Sequence, residues 1–92
     1  MRPLSDYDRI LTFRSVHDAI RAERLLAAAG LQVEAAPTPR EISLSCGQSL
    51  LFTAADEAAA LAVLAGQDAR WHKLYRRQAA ARVYELIQQR GE

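Results

Sequence analysis

Strand-like and helix-like patterns alternate along most of this chain of 92 residues. Residues 9–14 alternate apolar and polar side chains, which predicts a short strand with Leu11 and Phe13 on one face. A helical pattern follows, for which Ser15 is the predicted N-cap and Gly30 the predicted stop. This helix is the clearest element in the sequence, and its position directly after a strand indicates a fold that mixes the two.

The same two patterns recur in the rest of the chain. The predicted elements are a second strand over 31–35, a third over 48–53, a helix over 57–66, a fourth strand over 70–76 and a last helix over 79–89. Pro37 and Pro39 are expected to end the second strand, because neither proline can donate a hydrogen bond to a sheet. The prediction of the last helix depends on Val83, Leu86 and Ile87, whose spacing is typical of one apolar helix face.

The order strand, helix, strand, strand, helix, strand is that of a ferredoxin-like βαββαβ sandwich in the α+β class. Two helices would cover one face of a four-stranded antiparallel sheet, and the C-terminal helix would be an addition. The length suffices for one domain and is too short for two. We therefore expect a ferredoxin-like domain over 9–76 and a helical extension over 77–92.

Composition argues against several classes of partner. Twelve basic and eleven acidic residues give a net charge of +1, whereas nucleic-acid-binding domains carry a clear basic excess. Trp71, Lys73 and Tyr75 mix aromatic and basic character on one predicted strand face, but the central strands lack the aromatic residues of an RNA-binding sheet. No apolar run approaches the ~18 residues of a membrane span, and no signal peptide is recognisable. We expect a cytoplasmic protein that binds neither nucleic acid nor a membrane.

The single cysteine, Cys46, carries the most reactive side chain of the sequence. It cannot form an internal disulfide, and in a reducing cytosol its thiol stays free. Cys46 precedes Gly47 in a serine-rich loop predicted over 40–47, so a partner could approach its backbone closely. The alternative is that Cys46 packs as a small apolar residue at a strand start. One cysteine and two separated histidines lack the spacing of a metal site, and no cofactor is expected.

Several neighbours of Cys46 are candidates for supporting its chemistry. Arg40 could stabilise a thiolate by its charge, or could pair with a carboxylate on the surface. The hydroxyl groups of Ser43 and Ser45 could donate hydrogen bonds to the same anion. A thiol hydrolase would need a base such as His17, but nothing in the spacing brings His17 to Cys46.

Longer runs of residues resemble a known family. These runs are Leu11-Thr12-Phe13, His17-Asp18-Ala19, Arg21-Ala22-Glu23 and, above all, Pro37-Thr38-Pro39-Arg40-Glu41-Ile42-Ser43 followed by Ser45-Cys46-Gly47. Over roughly residues 9–76 the chain resembles the selenium/sulfur carrier protein-like family. The resemblance implies that Cys46 holds sulfur or selenium as a persulfide or selenopersulfide and passes it to a partner protein.

The implied partners are a donor such as a cysteine desulfurase and an acceptor protein, and the chain would be a carrier rather than a true enzyme. A second hypothesis is a non-catalytic ferredoxin-like interaction module in which Cys46 is structural. The apolar stripe of the predicted C-terminal helix could pack on its own sheet, or it could form a homodimer with a second copy.

Overall fold

The computed structural model describes residues 6–42, 47–78 and 83–90. Within them, an antiparallel sheet of five strands is combined with two α-helices. The elements in chain order are β1 (Arg9–Thr12), α1 (Val16–Ala28), β2 (Glu34–Pro37), β3 (Gln48–Phe52), α2 (Glu57–Gly66), β4 (Lys73–Gln78) and β5 (Val83–Gln89). The strands lie in the order β2-β3-β1-β4-β5 across the sheet. The predicted α+β class is therefore confirmed.

The predicted C-terminal helix is wrong, because residues Val83–Gln89 form the edge strand β5. This strand pairs with β4 from Gln78 opposite Val83 to Lys73 opposite Gln89, with a register shift that skips Ile87. Pairing satisfies the backbone hydrogen-bonding groups along the outer edge of β4, which a helix here would leave without a strand partner. The predicted four-stranded sheet is thus inexact, and the predicted homodimer contact loses the helix on which it relied. Residues 79–82 of that predicted helix lie outside the described residues.

The second strand also differs from its prediction, since it covers Glu34–Pro37 rather than 31–35. Pro37 is the last residue of β2 and lies opposite Gln48 of β3. A proline is tolerated here because β2 is an edge strand, so one side of its backbone needs no sheet partner. The β2–β3 connection therefore begins directly after Pro37, at Thr38.

Helix α1 begins and ends at the residues that the sequence predicts. The Ser15 hydroxyl accepts a hydrogen bond from the backbone N–H of Asp18 at 3.2 Å, which caps the first turn. After the helix, Gly30 has a φ of 84°, a left-handed conformation that glycine adopts without steric cost. In the described part of the chain, neither helix is long and apolar enough to cross a membrane.

Both faces of the sheet carry buried apolar residues. The face covered by the helices forms the main core, which contains Leu11, Ala22, Leu26, Leu50, Phe52, Ala60, Leu64, Ala69, Trp71 and Leu74. On the opposite face Tyr7, Ile10 and Leu51 are buried, with Ile42 and Tyr75 packed against them. Alternation along β1 and β3 produces this division, because successive side chains of a strand point to opposite faces. Ile42 and Tyr75 of this second face also line a cavity at one end of the sheet.

Candidate functional site

A cavity of about 510 Å³ lies at one end of the sheet. Its lining consists of Thr12, Phe13, Arg14, Ser15, Val16, Thr38, Ile42, Gly47, His72, Lys73 and Tyr75. The antiparallel register places the ends of β1 and β2 and the beginnings of β3 and β4 together here. Three parts of the chain therefore meet at the cavity: the β1–α1 connection, the β2–β3 connection and the segment that leads into β4.

The two ends of the β2–β3 connection are held together at the cavity. The backbone N–H of Thr38 donates to the carbonyl oxygen of Gly47 at 2.9 Å. The hydroxyl groups of Thr38 and Ser49 are 2.6 Å apart, and Ser49 is fully buried. A turn follows Thr38, closed by the Ile42 N–H on the Pro39 carbonyl oxygen at 3.0 Å. These bonds fix the described residues on both sides of the segment 43–46.

The predicted site residues are distributed unevenly between the described and undescribed parts of the chain. Cys46, Ser43 and Ser45 lie outside the described residues. Gly47, which follows Cys46 in the chain, lines the cavity. Arg40 is exposed, is not part of the lining and forms no ion pair in the described part of the chain. The structure thus brings Gly47 to the cavity, while the roles of the other four residues stay predictions.

A pair of hydrogen bonds links Thr12 of β1 to Lys73 of β4 beside the cavity. The Thr12 hydroxyl donates to the carbonyl oxygen of Lys73 and accepts from its backbone N–H, both at 3.2 Å. The N–H of His72 donates to the carbonyl oxygen of Thr12 at 2.8 Å. These contacts hold the backbone that carries the Lys73 side chain. Sequence reasoning did not identify Thr12, Thr38 or Lys73 as site residues, because only strand pairing brings them together.

The two histidines lie in different places relative to the cavity. His17 is exposed in the first turn of α1 and is absent from the cavity lining. His72 lines the cavity. The described ranges also contain no group of three or more His, Cys, Asp or Glu residues that could hold a metal ion.

The aromatic and basic residues predicted to share one strand face are divided between two environments. Trp71 precedes β4 and is buried in the main core, at 8% exposure. Tyr75 packs against the opposite face of the sheet, and Lys73 and Tyr75 line the cavity. The strand begins only at Lys73, so the alternation assumed from residue 70 does not apply to Trp71. The prediction that Trp71 shares one strand face with Lys73 and Tyr75 is therefore wrong.

Tyr75 gives the cavity wall a pH-dependent contribution to stability. Burial raises the pKa of its phenol above the ordinary value of 10.0. The Tyr75 phenol therefore ionises at a lower pH in the unfolded chain than in the folded protein. The stability that this difference leaves intact below about pH 10 is lost as the pH rises through the folded-state pKa. We expect the free energy of unfolding to fall less steeply above about pH 10 in Tyr75→Phe than in the unchanged protein, as measured by urea unfolding at a series of pH values. Parallel pH curves for the two proteins would contradict this.

Comparison with known proteins identifies the family of this chain. A family model described as putative Se/S carrier protein-like matches residues 8–76. The matched range runs from the residue before β1 into β4. It contains the whole β2–β3 connection and each described residue that lines the cavity. No curated protein and no solved structure gives a significant match. Because the match covers well over half of its length, the chain belongs to the putative Se/S carrier protein-like family.

Proposed function

We propose that this protein carries a sulfur or selenium atom on the thiol of Cys46 and relays it to a partner protein. Gly47 is the observation on which the proposal depends: it lines the cavity directly after the single cysteine, inside the range matched by the family model. In this proposal the Cys46 thiol is presented at the cavity. The sheet would then serve as the frame that holds both ends of the thiol-bearing connection.

The proposed loading step is a transfer of one sulfur atom between thiols. The Cys46 thiolate attacks the outer sulfur of a donor persulfide, R–S–SH, and forms a new S–S bond. The S–S bond of the donor breaks, and its electron pair leaves with the donor thiolate, R–S⁻. In the relay step the loaded Cys46 is the donor. An acceptor thiolate attacks the outer sulfur of the Cys46 persulfide and forms a new S–S bond, and the old S–S bond breaks to release Cys46 as a thiolate. No net oxidation occurs in either step, and selenium would follow the same exchange as a selenopersulfide.

Arg40, Ser43 and Ser45 are the proposed supporting residues. An arginine near the thiol would favour the thiolate and the persulfide anion, since an opposite charge lowers the pKa of an acid. Arg40 is compatible with this role because its exposed guanidinium forms no ion pair in the described part of the chain. The serine hydroxyl groups would donate hydrogen bonds to the same anion.

The cellular setting belongs to the same proposal. A donor such as a cysteine desulfurase would supply the persulfide, and a second protein would accept the atom. A reducing compartment such as the cytoplasm would keep the thiol available. No cofactor is needed, because the chain itself contributes the sulfur nucleophile. The first four strands, in the ferredoxin-like order β2-β3-β1-β4, would serve as the carrier domain.

Alkylation of the native protein separates the carrier from an interaction module with a structural cysteine. Iodoacetamide reports on Cys46 alone, because the chain has one cysteine. We expect the native protein to be alkylated at a rate within about tenfold of the urea-unfolded protein, as for an accessible thiol, and to react faster as the pH rises. Modification that occurs only after unfolding would instead support the interaction module and contradict the carrier.

A further inference from the structure

We propose that the cavity at the end of β1 binds a small anionic molecule, of the class of low-molecular-weight thiols that carry carboxylate groups. The proposal concerns the source of the carried atom: the persulfide of such a thiol, R–S–SH, would enter the cavity. The Cys46 thiolate would take its outer sulfur, and the electron pair of the broken S–S bond would leave with the small thiolate, R–S⁻. Recognition of the carboxylates depends only on the described residues that line the cavity. The thiol part rests on the proposed function, because it assumes that the reacting sulfur meets Cys46 beside Gly47.

The charge of the cavity lining is the first observation. Among the described residues, its lining includes Arg14, Lys73 and His72 but no aspartate or glutamate. The ammonium group of Lys73 forms no ion pair or side-chain hydrogen bond in the described part of the chain. The whole chain is almost neutral, with a net charge of +1, so this positive character is local. A carboxylate beside Lys73 would gain a charge-assisted hydrogen bond.

The beginning of α1 adds to the positive potential at the same place. Ser15 and Val16, the N-cap and the first residue of the helix, both line the cavity. The Ser15 side chain and carbonyl group engage the N–H groups of Asp18 and Ala19. The N–H groups of Val16 and His17 have no acceptor inside the helix, as at every helix start. The partial positive charge of a helix N-terminus favours an anion there.

The size and remaining lining of the cavity indicate the size of the ligand. A volume of about 510 Å³ lies within the range of roughly 300–1,000 Å³ of small-molecule sites. Phe13, Val16, Ile42 and Tyr75 supply apolar or aromatic surface beside the cationic groups. Such a space is far larger than a hydrosulfide ion needs, and it suits a molecule between an amino acid and a tripeptide. An anion with an aliphatic body would meet both parts of the lining.

Binding of an unreactive analogue to the full chain tests this inference. The probe is S-methylglutathione, which carries two carboxylates and a blocked sulfur, and isothermal titration calorimetry measures its dissociation constant. We expect saturable binding at one site, a dissociation constant raised at least about tenfold by Lys73→Ala, and a change below about twofold for Arg24→Ala. Arg24 is the matched control because it is an exposed cation on α1 outside the cavity lining.

Two results would overturn the inference. One is the absence of saturable binding to the unchanged protein, and the other is an equal effect of Lys73→Ala and Arg24→Ala, which would indicate unspecific attraction. The dimethyl ester of the probe is expected to bind at least about tenfold more weakly, and equal binding of the ester would also contradict carboxylate recognition. Lys73→Gln replaces Lys73→Ala if circular dichroism shows that the alanine variant is unfolded.

The same titration on Cys46→Ser keeps this inference distinct from the proposed function. The probe does not react with the thiol, so we expect Cys46→Ser to bind it within about twofold of the unchanged protein. Binding without any loading of Cys46 would reject the carrier function and keep the anion site. Loading from a protein donor without binding of the probe would reject the anion site and keep the carrier.

Discussion

Replacing Cys46 with serine is expected to abolish loading of the protein with sulfur or selenium. The chain has one cysteine, so the variant has no thiol on which a persulfide could form. Intact mass spectrometry after incubation with a cysteine desulfurase and its substrate, cysteine or selenocysteine, measures the effect. The unchanged protein is expected to gain the mass of one sulfur or selenium atom, and Cys46→Ser is expected to gain none.

The loading experiment needs a control for the fold and a control for the donor. Circular dichroism of Cys46→Ser should match that of the unchanged protein, so that loss of loading reflects the missing thiol. Treatment with a reductant should remove the added mass, because persulfides are cleaved by thiols. An equal mass gain in Cys46→Ser, or no gain in the unchanged protein with either substrate, would count against Cys46 as the carrier.

Replacing Phe52 with alanine is expected to lower the free energy of unfolding by about 3–5 kcal/mol. Phe52 lies at the end of β3 in the core between sheet and helices, and none of its surface is exposed. Its removal loses buried apolar surface and leaves a cavity that the neighbouring side chains fill only in part. Domains of this kind are stable by about 5–15 kcal/mol, so the variant is expected to lose a large part of its stability.

Urea unfolding followed by circular dichroism measures this loss. Val83→Ala is the control, because Val83 is half exposed on the edge strand β5 and its replacement is expected to change stability by no more than about 0.5 kcal/mol. The account of the core would be wrong if Phe52→Ala cost less than about 1 kcal/mol, or if the two variants cost the same.

The elements predicted well are those with local signals. Ser15 and Gly30 mark the ends of α1 through contacts within a few residues of each other, so the sequence contains all the information needed. The C-terminal segment shows the opposite case. The spacing of Val83, Leu86 and Ile87 fits a helix face, and it also fits a strand whose register skips one residue. Pairing with β4 decides between the helix and the strand. The spacing of these three residues does not indicate that pairing.

The candidate site also contains residues that the sequence predicts and residues that it does not. The segment around Gly47 could be found from the sequence because its motif is continuous, and Gly47 does line the cavity. Thr12 and Lys73 are separated by 61 positions and meet only because β1 pairs with β4. The local patterns that include these two residues do not indicate that they lie at one site, and only the pairing of the strands shows it.

Discharge of the loaded protein tests the carrier function most directly, because a carrier must release the atom as well as accept it. The protein loaded on Cys46 is purified from its donor and mixed with an acceptor thiol protein, and intact masses of both are followed over time. We expect this protein to lose one sulfur or selenium atom at the same rate at which the acceptor gains it. A loaded atom that stays on Cys46, or that leaves without appearing on any acceptor thiol, would contradict it.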